Sequence, residues 1–446
     1  MKKKECSRRS FIEKSLLTFA TVSIVPSHVL GGSKHQAPSD RVRVAGIGIS
    51  GMGRRNLEQL APIADIVALC DVDFERAAPI FAKYPNAAVY NDFRKMLDKE
   101  KSIDAVVIAT PDHTHAVIAM AAMKRGKHVF CQKPLTHTVE EAQKLQKAAV
   151  EYNVVTQMGN QGHAHEGAFL LNEWIADGAI GEVTQVHCWT DRPIWPQGIT
   201  APEEIASVPP TFDWDLWQGP AEWRPYHPAL THFVWRGWKD YGVGALGDMG
   251  AHIIDHPYWA LDLGYPERVQ ATSTELFEDS YPNACIVEYE FGAKNGRGPV
   301  KLYWYDGGIK PMRPECMEPG RKLGGNGILY YGTKGVILQG SHGGVPRIVP
   351  EEKMKAYQLP EKTLKRSPGI HEEWIEAIVN GGKSSTDFSY SGPLTETMLL
   401  GNIAVLTSDQ NTTLEWDAVN KRFTNLDAAN ELLSKEYRKG WSLEEI

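Results

Sequence analysis

The chain has 446 residues, of which 42% are hydrophobic and 23% charged, and a formal net charge of -7. That length is roughly three times the commonest domain size and predicts two domains, while the residue balance excludes a disordered, collagen-like or coiled-coil polypeptide. The first 34 residues hold 7 of the 48 Lys and Arg and 2 of the 55 Asp and Glu, so the rest carries 41 against 53, a net of -12, which excludes nucleic-acid binding through a basic surface.

A basic leader ahead of an acidic body reads as an address. Residues 2–4 are lysines, Ser7-Arg8-Arg9-Ser10-Phe11-Ile12 follows, and an apolar run at 16–25 is closed by Pro26. Segment 1–34 resembles a bacterial twin-arginine export signal, which implies recognition by the twin-arginine machinery and delivery to the periplasm. The run is shorter than the roughly 20 apolar residues of a spanning helix, so no stable membrane span is expected. Beyond Cys6, the cysteines Cys70, Cys131, Cys188, Cys285 and Cys316 form no CxxC pair and predict neither a disulfide framework nor a cysteine-rich zinc site.

Residues 40–157 alternate strand and helix patterns. Short, β-branched apolar runs at 42–47, 66–70, 105–109, 128–131 and 154–158 predict strands, and 53–60 predicts a helix. Such alternation implies an α/β fold with a doubly wound parallel sheet, that is, a dinucleotide-binding Rossmann domain. From 158 to 446 the segments are longer, aromatic-rich and punctuated by Gly and Pro. Runs at 183–190, 268–276, 285–291, 300–305 and 327–331 alternate as in a large, open, mostly antiparallel sheet, and 372–379 and 394–406 read as helices. This second α/β domain is expected to hold substrate and to make oligomer contacts.

Gly46-Ile47-Gly48-Ile49-Ser50-Gly51-Met52-Gly53 follows a predicted strand and opens a predicted helix. Glycines at Gly46, Gly48, Gly51 and Gly53 let the backbone turn tightly against a pyrophosphate, which the helix N-terminus stabilises, with Ser50 and Met52 in the same loop. At the end of the second strand, Asp71 can accept hydrogen bonds from ribose hydroxyls and would repel a 2'-phosphate. NAD is therefore the expected cofactor. Asp73 is the alternative carboxylate, and Arg54, Arg55 and Arg76 keep NADP as the secondary choice.

Further along, Ala109-Thr110-Pro111-Asp112-His113-Thr114-His115 and Cys131-Gln132-Lys133-Pro134-Leu135 each end a predicted strand. Together with the glycine fingerprint, with Gly247-Asp248-Met249-Gly250-Ala251-His252 and with Gly392-Pro393-Leu394-Thr395-Glu396-Thr397, they resemble the glucose-fructose oxidoreductase / inositol dehydrogenase family (Gfo/Idh/MocA). The resemblance covers nearly all the chain after the leader. It implies NAD(P)-dependent oxidation or reduction of sugar and polyol hydroxyls, a homo-oligomer (dimer or tetramer), and cofactor contacts by Thr110, Pro111, His115, Gln132, Lys133 and Asn160.

The family's E-K-P motif maps its lysine onto Lys133, but Gln132 replaces the glutamate and removes a charge beside it. The D-x-x-x-H dyad maps onto Asp248 and His252. Residues four apart on a helix share a face, so Asp248 is expected to orient His252 and raise its pKa, leaving His252 to exchange the hydroxyl proton. Asp255 and His256 continue that segment, and His163 and His165 follow the strand at 154–158. No H-E-x-x-H occurs, since His371-Glu372-Glu373 lacks a second His at the required distance, so no metal is expected.

Nine of the 13 tryptophans lie between Trp174 and Trp259. Aromatic faces stack on the C–H faces of sugar rings, so Trp195 and Trp235, with Arg192, Arg236, His163 and His256, are the expected substrate contacts. The expected function is an exported sugar or glycoside dehydrogenase, acting at C3, whose trapped cofactor is recycled. Two alternatives stand beside it: an NAD-dependent, redox-neutral glycosidase working by oxidation, elimination, water addition and re-reduction, and a non-catalytic sugar-binding protein.

Overall fold

The apolar run near 42–47 folds as β1 (Arg43–Ile47), whose last four residues are buried, as a strand covered on both faces requires. The computed structural model describes residues 41–446, and the export-signal reading lies outside them. β2 (Asp65–Cys70), β3 (Ala88–Tyr90), β4 (Ala105–Ile108), β5 (His128–Cys131) and β6 (Thr156–Met158) join β1 in a six-stranded sheet of order β3-β2-β1-β4-β5-β6. Every pair in it is parallel. The order reverses between β1 and β4, the point at which doubly wound sheets open a crevice for ligands.

The second sheet has nine strands in the order β13-β12-β11-β7-β10-β9-β8-β14-β15. Its members are β7 (Val183–Trp189), β8 (Arg268–Ser273), β9 (Cys285–Phe291), β10 (Val300–Tyr305), β11 (Gly327–Gly332), β12 (Val336–Gln339), β13 (Arg347–Val349), β14 (Leu414–Asp417) and β15 (Arg422–Phe423). β7 and β10 pair in parallel and the other neighbours are antiparallel. One face is core: Val300, Leu302 and Trp304 of β10 are buried, while Lys301, Tyr303 and Tyr305 point to the other face. There His187 stacks on Tyr303, with ring centroids 4.8 Å apart, and meets Tyr331 edge-on.

The helix Phe388–Leu406, which packs across β8 and β9, begins six residues earlier than the sequence pattern suggests. Asp387 accepts hydrogen bonds from the N–H groups of Ser389 and Tyr390, and this cap starts the helix ahead of Pro393. No described helix is long and apolar enough to cross a membrane. The described cysteines are unpaired, and all but Cys316 are buried.

Candidate active site

The turn leaving β1 is built for a close backbone approach. Gly48 has φ 72°, and a Cβ there would meet the Ala109 carbonyl oxygen at 2.8 Å; a Cβ on Gly53 would run into the carbonyl oxygen of Gly48. The helix Met52–Leu60 begins at Gly51 with no side-chain cap; the Gly53 N–H donates to the Ser50 carbonyl at 3.0 Å, and the rest of the first turn has no side-chain acceptor to compete with an anion. Asp71 follows β2 and accepts from the N–H of Ile49 (2.9 Å) and of Asp73 (3.0 Å). Burial lifts its carboxyl above the ordinary aspartate value, and those two donors pull the other way. A glycine turn, an uncapped helix and a carboxylate at the neighbouring strand end are the donor set that a dinucleotide requires, so these residues fit NAD.

The catalytic end is assembled where β5 gives way to Gln132 and Lys133. Lys133 Nζ donates to Asp248 Oδ1 (2.7 Å) and to the Asp248 carbonyl oxygen (3.0 Å), and Arg236 Nε donates to the same Oδ1 (3.2 Å). Burial alone would raise the Asp248 carboxyl, but Lys133 and Arg236 more than offset it and hold it below the ordinary aspartate value. His252 lies one turn on in the helix Gly244–Ile253, only 4% exposed, and its Nδ1 has no hydrogen-bond partner. Burial first, then Lys133, His342 and His256, push its pKa well below 6.5. The sequence expectation that Asp248 orients this imidazole and raises its pKa is corrected here. The carboxylate is engaged by two cations, and the ring stays neutral.

A cavity of about 630 Å³ joins the two ends. Gly48, Ser50, Gly51, Met52, Asp71, Thr110, Pro111, Gln132, Lys133, Asp248 and His252 line it, as do Arg192, Trp195, Trp235 and Arg236. The Arg236 guanidinium lies over the Trp235 ring at 4.4 Å and over Phe233 at 4.8 Å, while its Nε holds Asp248. Gly46 sits behind the turn, where a Cβ would press on Ile49 and Leu57 at 3.0 Å.

Gly53, like Gly46, is not part of the wall, and neither are four other expected contacts. His115 is buried between the carbonyls of Thr110 and Pro134, each 2.9 Å from a ring nitrogen, so it ties the two strand-end loops together. Asn160 is buried with neither amide atom paired. His163 stacks on Trp259 and bonds Asp255 at 3.1 Å, and His256 Nε2 accepts the Gly343 N–H at 2.7 Å. The substrate contacts expected of His163 and His256 are corrected accordingly: neither residue lines the cavity, and each has one ring nitrogen engaged inside the protein. Among the described residues no three His, Cys, Asp or Glu side chains are grouped to hold a metal ion.

The wall residues to which the sequence assigned no role include Asp112, His342 and Trp441. Asp112 opens the helix Asp112–Lys124 within the Thr110–His115 motif, and burial pushes its carboxyl up to about 8 despite Arg236 and Lys133. His342 belongs to the turn between β12 and β13 and stacks on His252; its signal is an isolated imidazole among Gly340, Gly343 and Gly344. Trp441, near the C-terminus, lines the cavity with Phe93, Phe212 and Trp217, its ring 6.1 Å from that of Phe93. Only its size marks it in the sequence.

A family model described as an oxidoreductase family with an NAD-binding Rossmann fold (GFO_IDH_MocA) matches residues 41–160, and the C-terminal alpha/beta domain model of the same oxidoreductases matches 181–292. An uncharacterized oxidoreductase of Schizosaccharomyces pombe is 34% identical over 324 residues, covering 66% of this chain and 76% of the relative. An inositol 2-dehydrogenase of Rubrobacter xylanophilus is 32% identical over 167 residues, 36% of this chain, and the chain spans only 48% of that enzyme. Among solved structures, a levoglucosan dehydrogenase in complex with NADH superposes with a TM-score of 0.56 at 19% identity, over 84% of this chain and 98% of the other, which is a likeness of fold.

Proposed function

Because the chain belongs to the Gfo/Idh/MocA oxidoreductase family, we propose that it is an exported NAD-dependent dehydrogenase interconverting a hydroxyl and a carbonyl on a sugar or glycoside. The observation that carries this reading is the presence of the glycine turn, Asp71, Lys133 and His252 on one cavity wall. NAD, when bound, supplies a hydride acceptor for the carbinol carbon. The turn at Gly48–Gly53 would hold the pyrophosphate and Asp71 a ribose, with Thr110, Pro111 and Gln132 lining the way to Lys133. His252, kept neutral by burial, takes the hydroxyl proton. Lys133, fixed by Asp248, donates to the reacting oxygen and balances the negative charge that develops there. Trp195, Trp235, Arg192 and Arg236 receive the remainder of the sugar.

Export rests on the arginine pair and apolar run at 1–34. A cofactor kept through each cycle, and regenerated by a carbonyl substrate, follows from export, and the aromatic side chains Phe212, Trp217 and Trp441 on the cavity wall would favour its retention. Oxidation at C3 is what the family resemblance implies. The half-exposed aromatic face around His187 suits a homo-oligomer. The test is direct: purified protein is mixed with NAD and a panel of α- and β-glucosides and inositols, and reduced-nicotinamide absorbance is followed. A rise that saturates with one polyol supports the reading, and its absence across the panel, with a keto-sugar acceptor equally inert toward the reduced protein, contradicts it.

A further inference from the structure

His342 is held in the cavity by several parts of the chain. Its N–H donates to the His252 carbonyl at 3.0 Å, and its own carbonyl lies 2.7 Å from His165 Nδ1. The next residue, Gly343, donates to His256 Nε2, and Ser341 Oγ lies 2.9 Å from His342 Nδ1. His342 has φ 58°, in the left-handed region that a side chain seldom adopts. A side chain on Gly162 would strike its backbone at 2.7 Å. So constrained, the imidazole stacks on that of His252 with centroids 4.0 Å apart and planes 25° from parallel, and both rings line the cavity.

We propose that His342 acts through His252 as the second half of one base: the stacked imidazoles take up a single proton between them, and His342 keeps His252 uncharged until substrate delivers that proton. The proposal rests on the reading of His252 as proton acceptor. Two imidazolium rings 4.0 Å apart repel strongly, and their surroundings offer little relief. His252 also faces Lys133 and His256, and His342 faces Lys133, Asp248, His165 and Arg192. The only carboxylate among these, Asp248, is already paired with Lys133 and Arg236. The balance is simple: the hydroxyl O–H breaks and its proton goes to His252, the carbon's hydride would go to NAD when bound, and the stacked His342 stays uncharged until His252 has released that proton through the cavity to solvent.

The test is a pH titration of the full chain labelled with nitrogen-15 histidine, read by NMR and set beside the pH profile of kcat/KM, in the parent protein and in His342→Asn. Asn tolerates the positive φ. The parent pair should take up one proton as a coupled unit. In His342→Asn the His252 resonance should titrate higher by about half a pH unit or more, and the acid limb of kcat/KM should move up with it. Two full, independent protonations in the parent protein, or an unmoved His252 titration and acid limb in the variant, would overturn the proposal. Should the variant not fold, the parent titration alone decides. Coupled titration without turnover on any sugar would overturn the dehydrogenase reading and leave the pair standing; independent titration with turnover intact would do the reverse.

Discussion

Lys133 Nζ sits 2.7 Å from Oδ1 of Asp248 and 3.0 Å from that residue's own carbonyl oxygen, with both side chains 13% exposed. The pair links the strand-end loop after β5 to the helix that carries His252, so Lys133 is held beside the element that presents the base. Replacing Asp248 by Asn keeps the shape and removes the charge, leaving Lys133 and Arg236 unmatched. We expect kcat/KM to fall by about two to three orders of magnitude and stability in urea to fall by about 3 kcal/mol. An Asp248→Asn protein with parental turnover would refute the anchoring role.

His252→Ala should abolish turnover while leaving NAD binding, followed by fluorescence titration, within about threefold of the parent, because the glycine turn and Asp71 are untouched. Protonation of His252 blocks its role as acceptor, and its pKa lies well below 6.5. The active form therefore persists as pH falls past 6.5, and the acid limb of the oxidation profile should lie below that value. An acid limb above 6.5 would show that the imidazole is not the neutral group described.

Asp71 joins the two strand ends at the ribose side of the cavity, with Arg55 and Arg76 also on the wall. Asp71→Ser removes the charge that disfavours a 2'-phosphate and weakens the hold on Ile49. NAD affinity should drop about tenfold or more and the preference for NAD over NADP should narrow, as read by titration with both cofactors. An unchanged ratio would assign the discrimination elsewhere.

Stability should fall in mild acid. Burial holds His115, His256 and His371 down to about 4 and His137 to about 3. The unfolded chain protonates these groups first, near 6.5, so their stabilisation is fully present above that pH and is lost as pH falls toward 4. Buried Asp112 at about 8 and Asp306 at about 6 act the other way, because the folded state takes up those two protons. For these six groups alone a net difference of about two protons remains near pH 5, or roughly 2 to 3 kcal/mol lost per pH unit, and His187, held at about 4, with His113 and His252, held well below 6.5, steepen the loss. Urea midpoints at intervals from pH 7 to 4.5 measure it, and a flat profile would contradict the burial of these rings as neutral groups.

The parallel sheet was legible because strands covered on both faces are short, continuous apolar runs; the expected 128–131 strand coincides with β5. β3, β12, β13, β14 and β15, each of two to four residues, give too little pattern to find. Lys133, Asp248 and His252 were reachable from motifs, but the partner of Asp248 was not. Helical spacing places His252 near it, whereas Lys133 arrives from 115 residues away in sequence and carries a charge that a neutral ring cannot match. His163 and His256 show the converse: a histidine that holds Asp255 or Gly343 looks in sequence like one that holds a sugar.

The central claim, removal of hydride and proton from one CH–OH of a sugar, is tested most directly by mass spectrometry of α- and β-glucosides incubated with the protein in heavy water, with and without a keto-sugar acceptor. The account predicts a product lighter by two hydrogens that keeps its aglycone and accumulates with acceptor. Release of free sugar carrying carbon-bound deuterium, with no oxidised glycoside, would contradict it and assign the chain to redox-neutral glycoside cleavage.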